Sequence, residues 1–144
     1  MAFAEFVINS VLKFVKKSKT STLMEDMITE FFLVDPATVT KRKANKIVRT
    51  RDHKLQILFR IELHHVLANQ ELQKKIEDEM LVHLRQISIW DSPNEMLTFL
   101  QEIVTPFYID TQPNLLCLLY EELNQPPPSS LSALFSPRKS ECSR

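Results

Sequence analysis

Glycine is missing altogether from this chain of 144 residues. At an average usage of roughly 7%, about ten would be present. Phosphate-cradling loops and dinucleotide-binding turns need glycine so that the backbone can approach a pyrophosphate. Two-residue hairpins need positive φ, which glycine supplies most readily. The absence argues against a nucleotide-binding α/β enzyme and against a hairpin-rich sheet. Cysteine is scarce too: Cys117 and Cys142 do not make a disulfide framework. Cys117 lies in an apolar run, where a buried free thiol is usual, and a reducing compartment is the simpler reading. No run of about 18 apolar residues exists, so no membrane span is expected. The apolar N-terminus is interrupted by Glu5 and Lys13 and reads poorly as a signal peptide.

What is present fits a folded helical protein. Apolar residues make up 44% and charged residues 25%, near the globular averages. The formal net charge is zero, but it is unevenly spread. Residues 1–60 carry +6, residues 61–124 carry −8 and residues 125–144 carry +2. Such asymmetry points to charged partners or an intramolecular match.

Apolar spacing of three and four residues predicts a series of helices. Phe3, Phe6, Val7, Val11, Phe14 and Val15 mark one over residues 3–17, with Lys13, Lys16 and Lys17 in its last turns, where cations suit the helix dipole. Thr22 and Glu25 form a capping box for a second, which stops near Val34. Asp35-Pro36 reads as an N-cap with proline at the first helical position. The helix it opens is expected to reach about Leu67, with a break or exposed stretch between Val48 and Leu55. From Leu55 onward it is apolar on nearly every side, as in a helix central to a fold. Asn69 is a stop, and Leu72, Ile76, Met80, Leu84 and Ile87 line the next helix, with Trp90 in a connector. Ser92-Pro93-Asn94-Glu95 caps another, lined by Met96, Leu97, Phe99, Leu100, Ile103 and Val104. Pro106 should end or kink it. Pro113 opens a buried helix through Leu123, and Pro126, Pro127 and Pro128 stop it. The expected organisation is an all-α, single domain of about six helices, residues 1–125, including a long basic helix. A disordered Ser/Pro-rich tail, residues 126–144, follows it.

Catalytic chemistry has little support. No cysteine sits in a recognisable signature and no serine is flanked by glycine, so no enzyme is expected. Glu62 and His65 have the three-residue spacing of carboxylate-bridged metal bundles. The second half of that pattern fails, because Glu79 and His83 are four apart, and no metal or other cofactor is expected.

The basic stretch is more informative. Lys41, Arg42, Lys43, Lys46, Arg49, Arg51 and Lys54 face a single acid, Asp52, over that stretch. Such density suits phosphates or an acidic protein patch. Aromatics are absent between Val39 and Lys54, which leaves no platform for base stacking. The reading favours an acidic protein partner, with Ile47 supplying apolar burial; DNA binding through the same helix is the alternative. Lys41-Arg42-Lys43 with Lys46 also resembles a nuclear import signal. In the tail, Ser136-Pro137-Arg138-Lys139 fits the pattern of cyclin-dependent kinase substrates, with proline at plus one and a cation at plus three.

Leu55-Gln56-Ile57-Leu58-Phe59-Arg60-Ile61-Glu62-Leu63 resembles a known family. The likeness continues through Phe99-Leu100-Gln101-Glu102-Ile103, Phe107-Tyr108-Ile109-Asp110, Pro113, Leu116, Leu119-Tyr120 and Leu123. These residues are similar to the central domain of the treslin family, the origin-firing factors of DNA replication, over about residues 54–124. The resemblance implies a nuclear, non-enzymatic adaptor. It implies binding of the replication factor that activates the ring helicase, and cell-cycle control by cyclin-dependent kinase. Phosphorylated sites downstream of the domain would be read by a BRCT-containing protein, and Ser136 lies where such a site would fall.

Overall fold

The structure, a computed structural model, describes residues 33–41 and 45–135. The expected helices before Val34, the residues Arg42, Lys43 and Ser136, and Cys142 lie outside the described residues. Among the described residues every regular element is helical, as the periodicity requires. The described residues divide into two compact units after Pro93.

In the first unit, α1 is Pro36–Lys41, α2 is Lys46–Val66 and α3 is Gln70–Trp90. Asp35 caps α1 as expected: the Thr38 amide donates to its Oδ1 at 3.0 Å, and the Thr38 hydroxyl donates to Oδ2. These bonds hold the Asp35 carboxyl below its usual range, the side-chain bond contributing most. The helix expected from Pro36 to Leu67 is two helices, and the interruption lies upstream of its predicted place. Asn45 is the reason. Its extended backbone (φ −70°, ψ 167°) and an Oδ1 that accepts the Val48 amide at 2.9 Å start a new helix. Continuous helix then runs through Thr50 to His53, because Thr50 and His53 are buried and packing outweighs their modest propensity.

Asn69 restarts the chain in the same manner, accepting the amides of Glu71 and Leu72 at 3.0 and 3.2 Å. The short loop makes α2 and α3 antiparallel neighbours. Each has 21 residues, about 31 Å at the helical rise. Ile57, Ile61 and Leu63 from α2, with Ile76, Met80, Leu84 and Ile87 from α3, are fully buried. Residues 56–61 of α2 are buried without a gap, the pattern expected of a central helix. Trp90 is the last residue of α3 and not part of a connector.

Helix α4, Pro93–Thr98, leads into the second unit and begins at its proline as the capping pattern predicts. It does not end at Pro106. A π-helical segment, Phe99–Val104, carries it into α5, Thr105–Tyr108. The wider turn puts Pro106 in the first turn of the resumed α-helix, where its missing N–H costs least. The Thr105 amide bonds back to Leu100, and its hydroxyl donates to the same carbonyl at 2.7 Å. With that proton committed, Tyr120 donates its own hydroxyl to Thr105 at 2.8 Å. Burial raises the Tyr120 pKa, and the bond to Thr105 partly opposes it.

Helix α6, Pro113–Glu122, is buried along Leu115, Leu116, Cys117, Leu119 and Tyr120. Cys117 is disulfide-bonded, so the expected free thiol is not found. The end of α6 shows how a glycine-free chain turns. Asn124 has φ 54°, donates to Glu121 O at 3.0 Å, and lets Gln125 donate to Tyr120 O at 2.9 Å. This is a Schellman cap, with asparagine where glycine is usual. Disorder is expected from residue 126, but α7, Ser129–Phe135, is helical after the triple proline. Leu131 is fully buried there, which gives the segment a reason to order.

Candidate docking surface

Of the predicted basic residues, Lys46 and Arg49 lie where the start of α2 meets the end of α3. Lys41 closes α1 and is exposed. Lys46 pairs with Asp91 at 3.3 Å. Arg49 lies over the Trp90 ring, 4.4 Å from its centroid, in a cation–π contact. Arg51 is 3.9 Å from Asp52, and Lys54 is half-buried. Ile47 is 78% exposed among these cations. Two acids and a tryptophan therefore occupy part of the cationic charge within the chain.

Sequence reasoning missed the α3 side of this surface. Ile89 is 69% and Trp90 41% exposed, and Trp90 is what orients Arg49. The one available signal was a lone tryptophan at the end of an amphipathic helix. Its pairing with α2 depends on the antiparallel register.

A polar network that runs from the surface to the buried histidines holds this end together. The Trp90 indole donates to Gln86 Oε1 at 2.9 Å, and the Thr40 hydroxyl donates to the same oxygen at 3.2 Å. His53 Nε2 is 3.5 Å from that hydroxyl, and His53 Nδ1 is 2.8 Å from His83 Nδ1. With the Thr40 proton committed to Gln86, His53 donates from Nε2 and accepts at Nδ1 from His83. His83 Nε2 is buried with no hydrogen-bond partner within normal distance. Burial holds both rings neutral. His53 is lowered to about 4, Asp52 pulling it up and Arg49 pressing it down. His83 is lowered to about 3, with Arg60 and His53 adding to the effect of burial.

About two helical turns further along α2, Arg60 is fully buried. Its Nη1 donates to Gln56 O at 3.2 Å and Gln56 Oε1 at 2.8 Å. Its Nη2 donates to Val34 O at 2.9 Å and Glu79 Oε2 at 3.1 Å. The Val34 amide donates to Gln56 Oε1 at 2.8 Å. One guanidinium thus fixes α3 and the segment leading to α1 against α2. Burial lowers its pKa, opposed by Glu79, yet a guanidinium stays charged.

The residues considered for a metal are otherwise engaged or apart. Glu79 is taken by Arg60 and His83 by His53, while His65 is exposed and Glu62 half-buried. Among the described residues, no cluster of three or more His, Cys, Asp or Glu is placed to hold an ion. No helix among them is long and apolar enough to cross a membrane.

The family model described as Treslin, STD domain matches residues 1–123, and the chain belongs to that family. The match extends the resemblance carried by residues 54–124 to the whole N-terminal part. Membership places the domain in the initiation of DNA replication, in a family of non-enzymatic adaptor type. No curated protein and no solved structure matches the chain.

Proposed function

We propose that this domain is an adaptor that recruits the helicase-activating factor to replication origins through the basic end of α2. Lys41, Arg42, Lys43, Lys46, Ile47, Arg49, Arg51 and Lys54 form the partner-binding surface, facing an acidic patch on the partner. The exposure of Ile47 among cations carries this reading. Charges steer the encounter, and an apolar anchor supplies burial once contact is made. The internal pairing of Lys46 with Asp91 and of Arg51 with Asp52 supports a shaped protein contact over phosphate neutralisation. The domain acts in the nucleus. Cyclin-dependent kinase phosphorylates Ser136, and a BRCT-containing protein reads the phosphate, which adds about −1.5 to −2 charge to a segment otherwise basic.

The test reverses Lys41 and Arg51 to glutamate and changes Ile47→Ser. Pull-down of the purified helicase-activating factor is expected to fail, with the melting temperature nearly unchanged. Retained binding overturns the assignment. A gel shift whose affinity falls linearly with salt on logarithmic axes would instead assign the surface to DNA.

A further inference from the structure

The π-helical turn of the second unit leaves an apolar face outside. Phe99 and Leu100 are buried. In an uninterrupted α-helix the residues three and four further on share that face, which would bury Ile103. The π turn moves the buried register to Val104 and Thr105 and turns Ile103 outward. Ile103 is 38% exposed and Phe107 40% exposed. Pro106 beside them is exposed, and so are Glu102 and Asp110 at the two ends of the strip. Phe107 is held edge-on against the ring of buried Tyr108, with centroids 4.9 Å apart. The strip is therefore a braced surface of about two helical turns. π turns of this kind are frequent at functional sites.

The described residues of its own unit carry charge of one sign. No lysine or arginine lies between Arg85 and Arg138. The described residues of this unit hold Glu95, Glu102, Asp110, Glu121 and Glu122 and no cation. Such a field repels nucleic acid and anionic lipid and attracts a basic segment. An apolar strip flanked by carboxylates complements a helix with an apolar stripe flanked by Lys or Arg, the helix-on-face mode of peptide recognition.

We propose that Ile103, Pro106 and Phe107, flanked by Glu102 and Asp110, form a second docking surface, for a Lys/Arg-bearing amphipathic helix of a partner protein. It lies in a different unit from the basic end of α2 and selects the opposite charge. One adaptor thereby holds two partners of opposite sign.

The probe is a fluorescein-labelled amphipathic Leu/Lys peptide of about five helical turns, measured by anisotropy against the full chain. A Leu/Glu peptide of the same pattern and a Leu/Lys peptide of scrambled order serve as controls. Saturable binding of the patterned Leu/Lys peptide alone is expected, with amide shift changes centred on residues 102–110. Ile103→Ser with Phe107→Ser should weaken it roughly tenfold or more, as loss of central anchors does. Glu102→Lys with Asp110→Lys should weaken it and flatten its salt dependence. This charge pair alters only exposed polar positions, so the test survives if the serine pair destabilises the fold. Equal binding by the Leu/Glu or scrambled peptide overturns the proposal. So does insensitivity to the charge pair, or shift changes centred elsewhere. A concentration-dependent dimer that Ile103→Ser with Phe107→Ser dissolves would assign the strip to a second copy of the chain and overturn it equally.

Discussion

Acidification should destabilise the first unit through His53 and His83. Both rings are fully buried, their Nδ1 atoms 2.8 Å apart, with pKa values lowered from 6.5 to about 4 and about 3. The unfolded chain therefore binds protons that the folded chain refuses, and stability falls with pH across that interval. The contribution is intact above 6.5 and is lost progressively as pH drops toward 4. At pH 5 each unfolded imidazole is almost wholly protonated while each folded one is nearly neutral. One and a half pH units below the unfolded value amount to about 2 kcal/mol per histidine, or about 4 kcal/mol for the pair. The figure at pH 5 depends little on the exact folded values, provided that both lie well below 5. Urea unfolding of the full chain at pH 7 and pH 5 measures it. The control is His53→Leu with His83→Leu, because removing both partners of a buried bond costs far less than removing one. The double variant should lose about 4 kcal/mol less than the parent over the same interval. An equal loss in parent and variant would refute the reasoning, and so would a parent whose stability is flat between the two pH values.

Two further outcomes follow from buried geometry. Arg60→Leu strands Glu79, the Val34 carbonyl and Gln56 together. It should cost about 3 kcal/mol or more by denaturant unfolding, as breaking a buried pair does; a cost below about 1 would mean that these groups find water instead. At Asn124, φ 54° favours glycine, so Asn124→Gly should be tolerated, whereas Asn124→Ala should cost about 1 kcal/mol. Equal melting temperatures for the two variants would show that the cap geometry does not matter.

Local signals in the chain were legible where chemistry is local. Asp35, Pro93 and Pro113 begin helices where they should, because caps and proline act within one turn. The near-continuous apolar character of Leu55–Leu67 marked a central helix, and residues 56–61 are buried. Other features depended on competition between neighbours. Asn45 is hard to read as a cap because the basic pattern around it suits an uninterrupted helix. The fate of Pro106 turned on whether the helix could widen, and Thr105 supplies the bond that helps it do so. Spacing alone places Ile103 in the buried stripe, because it assumes an α-helical period.

The candidate site divides along the same line. The cations and Ile47 were visible as composition, but their partners were not. Asp91 lies 45 positions from Lys46, and Trp90 lies 41 from Arg49. Only the antiparallel return of α3 brings them together.

The helical class, most helix starts and the separation of charge between the two halves are legible along the chain. Those follow from periodicity, capping and composition, each readable within a few residues. Tertiary structure alone decided that Arg60 and two histidines are interior, that a π turn exposes Ile103, and that Trp90 faces Arg49. The reason is physical: burial, pairing and register are set by what another segment brings alongside, and no single stretch of chain contains that information.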